Sequence, residues 1–158
     1  MIYIGIGSNL GNRIENITKA KYFLDLNGIN ITKSSSYYET LSWPDPNNPK
    51  FINIVVQSNT KTSPEKLLKI FKSIEKKLGR KKKSKNSPRT CDIDIISYNF
   101  EIMSGKIKIP HERMHKRNFV LIPLYELDKH WIHPKTKDSI KKLIFSLPIN
   151  DITSIKLI

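Results

Sequence analysis

Asp92 and Asp94 stand two positions apart in the apolar run Cys91–Tyr98, so a strand there sends both carboxylates out of one face. Adjacent carboxylates repel each other, and neither is cheap to bury. A divalent cation relieves both costs, and magnesium at phosphoryl-transfer sites is typically held by one or two carboxylates plus substrate phosphates. The spacing alone also fits a solvated face or a pair answering nearby lysines. Pro88-Arg89-Thr90 leads straight into the run, which puts a guanidinium beside whatever the carboxylates hold. That group matches phosphate oxygens with two parallel hydrogen bonds. Arg80 opens the same loop, with Lys81, Lys82, Lys83 and Lys85 between. A basic loop beside a carboxylate-bound metal reads as a polyphosphate clamp and lid. A solvated loop or a nucleic-acid contact is the other reading of the lysine run.

His111 follows Pro110, with Arg113, Lys116 and Arg117 close behind. His111 and Arg117 suit donation to phosphate, although a lone histidine is often structural. Thr40, Trp43, Phe51, Asn53 and Phe119 form a different set: aromatics to sandwich a flat heterocycle, and polar groups to bond its edge. Ordinary core packing is the competing reading. Gly7-Ser8-Asn9-Leu10-Gly11 has neither the Lys-Ser/Thr of a Walker A loop nor G-x-G-x-x-G. It reads as a tight turn whose backbone lines a pocket.

The elements that must position these residues follow from hydrophobic period and punctuation. Ile2–Gly7 predicts an opening strand and Gly7–Asn12 a turn. A helix is expected from about Arg13 to Leu26, with Ile14, Ile17, Tyr22 and Leu24 partly at helical spacing, ending at Asn27-Gly28. Ile29–Thr40 reads as one strand, Leu41–Lys50 as a proline-rich loop and Phe51–Thr60 as another strand. Ser63 and Pro64 mark a helix start, and the helix runs to about Leu78 before Gly79. Arg80–Thr90 is a basic, flexible loop. After the Cys91–Tyr98 strand come a small hairpin over Phe100–Ile109, a helix over Asn118–Leu127 and a short helix near Asp138–Phe145. Strand–helix–strand–strand–helix–strand is the split βαβ pattern, an α+β ferredoxin-like sandwich with helices packed on an antiparallel sheet. Such a fold carries no chemistry by itself.

The bulk properties bound the rest. A chain of 158 residues suits one domain, residues 1–158. Its formal charge of +14 arises from 28 basic and 14 acidic residues, a surface that attracts nucleotides, nucleic acid or anionic lipid. Lysine supplies nearly all the excess, so compositional drift gives the same charge without a function. No apolar run approaches the roughly 20 residues of a membrane span. The start carries no secretory signature, and Cys91 has no internal partner, which fits a reducing cytoplasm.

The order Ile6-Gly7-Ser8-Asn9-Leu10-Gly11, Ser35–Thr40, Phe51-Ile52-Asn53, Gly79-Arg80, Pro88-Arg89-Thr90-Cys91-Asp92-Ile93-Asp94, and Pro110-His111 through Arg117-Asn118-Phe119 resembles the 6-hydroxymethyl-7,8-dihydropterin pyrophosphokinases of folate synthesis. The resemblance covers roughly residues 1–130, and its most specific stretch is P-R-T-x-D-x-D with the downstream P-H. It implies a monomer that uses ATP and two magnesium ions, the latter on Asp92 and Asp94. It implies that Arg80 and Arg89 stabilise the transferring group. Leu68, Glu75, Lys82, Arg89, Ile95, Lys106, Lys108, His111 and Arg117 fall at ATP-side positions. Gly7, Thr40, Leu41, Trp43, Phe51, Asn53, Asp92 and Phe119 fall at pterin-side positions, with Thr40 and Asn53 on the ring edge. Asn86-Ser87 stands where many members carry Trp-Gly, Lys82 where an arginine is frequent, Lys72 for an amide and Leu41 for a proline. The expected partners are ATP and hydroxymethyldihydropterin, with no nucleic acid and no membrane. A basic RNA-binding module of ferredoxin-like fold is the alternative, although no RNP-like pattern is present.

Overall fold

The computed structural model describes residues 1–81 and 86–158. Its frame is β1 (Ile2–Ser8), α1 (Arg13–Leu26), β2 (Asn30–Ser34), β3 (Tyr38–Thr40), β4 (Phe51–Asn59), α2 (Pro64–Lys77) and β5 (Asp92–Tyr98). A hairpin of β6 (Met103–Ser104) and β7 (Lys108–Ile109) follows, then α3 (Asn118–Leu127), α4 (Ile140–Phe145), α5 (Ile149–Ser154) and β8 (Lys156–Leu157). The main sheet runs β5-β1-β4-β3-β8, with β2 also on β4, and every pairing in it is antiparallel. This is the expected ferredoxin-like α+β arrangement.

Strand period divides the core in two. Ile2, Ile4 and Ile6 of β1, with Ile52, Ile54, Ile93 and Ile95, face Ile17, Ala20 and Leu24 of α1 and Leu67, Phe71 and Ile74 of α2. Tyr3, Val55 and Ile96 emerge on the opposite face, against Val120, Leu121 and Leu124 of α3 and Trp131. The apolar side of α1 is thus Ile17, Ala20 and Leu24, whereas Ile14 and Tyr22, which shared the expected spacing, are exposed. The start of α2 follows the chemistry read from sequence, Ser63 accepting from the Lys66 amide, and Asn12 caps α1 by accepting from the Glu15 amide.

Two expectations change. The single strand expected over Ile29–Thr40 is two strands. Ser35 still donates its amide to Val55 O at 2.9 Å, but its hydroxyl, in place of a main-chain carbonyl, takes the Val55 amide at 3.0 Å. That serine swap lets the chain leave the ladder before re-pairing at Tyr38↔Asn53. The C-terminal segment also does more than form a short helix: β8 returns to pair with β3 at Tyr38↔Leu157.

Candidate active site

On the α3 side of the sheet, the outward positions of three neighbouring strands fall in rows. Gly7 of β1 lies between Asp92 and Asn53, and Gly5 between Asp94 and Val55. α3 covers only the Tyr3–Val55–Ile96 end of this face. Beyond the start of α3, the two glycines leave room above the sheet. The result is a cavity of about 800 Å³. A Cβ on Gly7 would sit 2.6 Å from Asn53 Oδ1 and 3.4 Å from a Phe51 ring carbon. That position is closed to any other residue without moving the amide.

One wall is ionic. Arg80 donates to Asp92 Oδ1 at 2.8 Å and lies 2.6 Å from Glu75 Oε1, while Arg89 donates to Asp92 Oδ2 at 3.3 Å. Glu75 is buried, and the same oxygen accepts the Ile93 amide at 2.9 Å. It therefore fixes both the Arg80 head and the start of β5. Asp94 has looser company: Arg117 at 3.6 Å and His111 at 3.9 Å. The desolvating walls and the neighbouring Asp92 raise its pKa, against the pull of Arg117.

His111 is held at Nδ1, which accepts the Arg113 amide at 3.1 Å. Its Nε2 lies 3.3 Å from Arg117 NH1. Asp94 Oδ2 stands near both groups, and the buried Arg117 Nε finds no partner among the described residues. Burial, with Arg117 and Arg113, pushes the His111 pKa down to about 4. The imidazole is neutral at neutral pH. This corner has the donors that a phosphate oxygen would satisfy.

The other wall is flat and aromatic. Trp43, Phe51 and Phe119 line the cavity with Asn53. The Trp43 ring carries Arg113 at 5.3 Å and Arg117 at 5.6 Å, and Phe119 carries Arg117 at 5.4 Å. Asn53 donates to the Thr40 hydroxyl at 3.1 Å, which fixes the amide so that Oδ1 stands over Gly7.

Twelve of the residues expected from sequence therefore meet at one cavity: Gly7, Trp43, Phe51, Asn53, Glu75, Arg80, Arg89, Asp92, Asp94, His111, Arg117 and Phe119. Others do not reach it. Ile95 points into the α1/α2 core, because alternation puts it opposite Asp94. Leu68 packs against that same core. Leu41 is exposed, and Thr40 is buried behind Asn53 instead of presenting its hydroxyl to the cavity. Lys106 is exposed beside the β6–β7 hairpin, and Lys108 pairs with Glu112 at 2.7 Å. Lys82 lies outside the described residues. Arg113, Lys72, Lys76 and Asn86 also line the cavity. Arg113 was visible as a cation near His111, and Lys72 and Asn86 as departures from the family pattern; nothing local marks Lys76.

Paired carboxylates, clustered guanidiniums and aromatic rings lining one cavity over a ferredoxin-like sheet define an α+β enzyme of phosphoryl-group transfer. The profile of the 7,8-dihydro-6-hydroxymethylpterin-pyrophosphokinase family matches residues 3–129. The chain is 39% identical over 142 residues to the 2-amino-4-hydroxy-6-hydroxymethyldihydropteridine pyrophosphokinase of Aquifex aeolicus, covering 89% of this chain and 88% of that protein. It is 41% identical over 127 residues to the mitochondrial folate synthesis bifunctional protein of Arabidopsis thaliana, covering 80% of this chain but 23% of that one. A Plasmodium falciparum HPPK-DHPS crystal structure superposes with a TM-score of 0.73 at 15% identity, over 99% of this chain and 46% of that one, a likeness of fold alone. The chain belongs to the 7,8-dihydro-6-hydroxymethylpterin-pyrophosphokinase family. It is a pyrophosphokinase of folate synthesis that uses ATP as co-substrate.

Proposed function

We propose that the cavity holds ATP along its ionic wall and 6-hydroxymethyl-7,8-dihydropterin along its aromatic wall. The pterin hydroxymethyl oxygen attacks the β-phosphorus, the bond from that phosphorus to the α-phosphate oxygen breaks, and AMP leaves. The β- and γ-phosphoryl groups pass as one unit. The observation that carries this reading is the opposition, across one cavity, of the Asp92/Asp94 wall with its arginines and the Asn53/Phe51/Phe119 wall.

The side chains divide the labour. Arg80 and Arg89 exchange Asp92 for phosphate oxygens and neutralise charge on the transferring group. Glu75 keeps Arg80 in place. His111 donates from Nε2 as a neutral group, and Arg117 donates beside it. Asn53, oriented by Thr40, bonds the ring edge between Phe51 and Phe119. Asp92 and Asp94 suit magnesium: they are hard oxygen donors on one face of β5. Magnesium bound there, expected as two ions, supplies charge neutralisation at the polyphosphate.

The protein acts as a monomer on small molecules in the cytoplasm, without nucleic-acid or membrane partners. Among the described residues no helix is long and apolar enough to cross a membrane.

Protein, ATP, magnesium and hydroxymethyldihydropterin should give AMP that depends on both pterin and magnesium. ADP as product, or no turnover by folded protein, would sink the reading. Strong, salt-sensitive RNA binding without AMP would favour the RNA-binding alternative. Asp94→Ala should abolish turnover and spare the fold; near-normal activity would refute the metal assignment.

A further inference from the structure

Three chain segments converge on one buried side chain outside the cavity. Asn9, 2% exposed in the turn after β1, donates its main-chain N–H to Arg89 O at 3.1 Å. Its Oδ1 accepts the Arg89 amide at 2.8 Å, and its Nδ2 donates to Pro49 O at 3.0 Å. Arg89 is thus gripped on both its main-chain groups. Its guanidinium leans on Asp92 and, through Nε, on Ser87 O at 3.1 Å. On the other side, Pro49 belongs to the loop that carries Trp43 and leads into Phe51. Arg13, the first residue of α1, seconds that tether by donating to Lys50 O at 2.9 Å and to Glu39 at 3.0 Å.

All three polar capacities of the Asn9 side chain and amide that face these loops are therefore spent on the main chains of the two walls. Asn9 does not line the cavity. We propose that Asn9 is a positioning residue that sets the registration between the ionic wall and the heterocycle wall, using one face of its amide for each. This rests on the functional reading above. In-line transfer between two substrates held on separate walls depends on that registration, and an error of about 1 Å in such placements costs on the order of 100-fold in rate. Only an amide serves both walls: its oxygen is needed by the Arg89 N–H and its NH₂ by the Pro49 carbonyl.

The two halves separate by substitution. Asn9→Asp keeps an acceptor for the Arg89 N–H and turns a second oxygen toward the Pro49 carbonyl, where a donor is required. It should raise the KM for the pterin about tenfold, the size expected when a buried carbonyl loses its partner, with the KM for ATP within about twofold. Asn9→Leu fills the same space and serves neither wall; it should also lower kcat by about 100-fold. Wild-type protein is run in the same assay, and Arg89 amide hydrogen exchange is measured in all three proteins. Arg89 exchange should stay slow in Asn9→Asp and accelerate in Asn9→Leu. A wild-type protein that makes no AMP counts against the pyrophosphokinase reading, and the exchange of Arg89 then decides whether Asn9 pins it. Active wild-type protein with unchanged kinetics in Asn9→Asp overturns the proposal. So does a loss that falls equally on ATP and pterin and tracks a lowered Tm, which would mark Asn9 as merely structural.

Discussion

Arg80 and Asp92 hold each other at 2.8 Å in the ionic wall of the cavity. A cation suited to phosphate is thus tied to a carboxylate suited to metal. On the proposed reading, Arg80 exchanges the carboxylate for phosphate and Asp92 exchanges the guanidinium for metal. Removing the cation should unbalance the pair. In Arg80→Ala, magnesium alone should bind several-fold more tightly by calorimetry, as expected when one nearby opposite charge is lost. Turnover should fall about 100- to 1,000-fold, the usual effect of removing one charge-stabilising donor. Weaker magnesium binding in the variant would contradict the exchange.

Gly7→Ala should act on one substrate only. The added methyl meets Asn53 Oδ1 at 2.6 Å, and the amide cannot retreat without losing its Thr40 bond. Pterin affinity should drop by about tenfold or more, in line with a displaced buried hydrogen-bonding group. ATP affinity should stay near wild type. Isothermal titration with each ligand separately checks both halves.

The pH behaviour of His111 follows from its surroundings. Its folded-state pKa is about 4, below the ordinary histidine value near 6.5 of an unfolded chain. As pH falls below the latter, the unfolded chain takes up a proton that the folded chain refuses. The folded state therefore loses stability across the window from about 6.5 down to about 4, and the loss is complete only below the lower value. His111→Gln should flatten the acid side of the stability curve in chemical denaturation. An NMR titration should find the wild-type imidazole neutral throughout that window; protonation near 6.5 would overturn the assignment.

Phe100 offers a test of backbone strain away from the site. The turn Tyr98–Glu101 closes with a 2.8 Å hydrogen bond and places Asn99 at φ 47° and Phe100 at φ 57°. Such a turn needs two left-handed residues, a conformation costly for a bulky side chain, and the Phe100 ring is half exposed. Phe100→Gly should stabilise the protein by about 1 kcal/mol, the relief of strain exceeding the added freedom of the unfolded chain. Tm should rise with AMP production unchanged.

How far the site was legible in the sequence depends on the range of the interactions. Asp92 and Asp94 share a face because side chains alternate along a strand, and the same alternation already set Ile95 on the other side. The ATP-side expectation for Ile95 came from resemblance and ran against that parity. Ser63-Pro64 fixed a helix start through neighbours only three residues apart. Thr40 shows the opposite case. Its hydroxyl was available to a ligand until the antiparallel pairing of β3 with β4 set it against Asn53.

The sequence by itself determined most of the element order, the apolar faces of the strands and the acidic pair with its preceding arginine. Each depends on residue period or on contacts within a few positions. The tertiary structure decided what those groups meet. It set Glu75 against Arg80 and β5, brought His111 and Arg117 together beside Asp94, and used Gly5 and Gly7 as the floor of the cavity. It also joined Asn9 to Arg89 across 80 positions of chain. No local propensity encodes such a pairing, because closing a loop of that length becomes favourable only when the whole sheet forms with it.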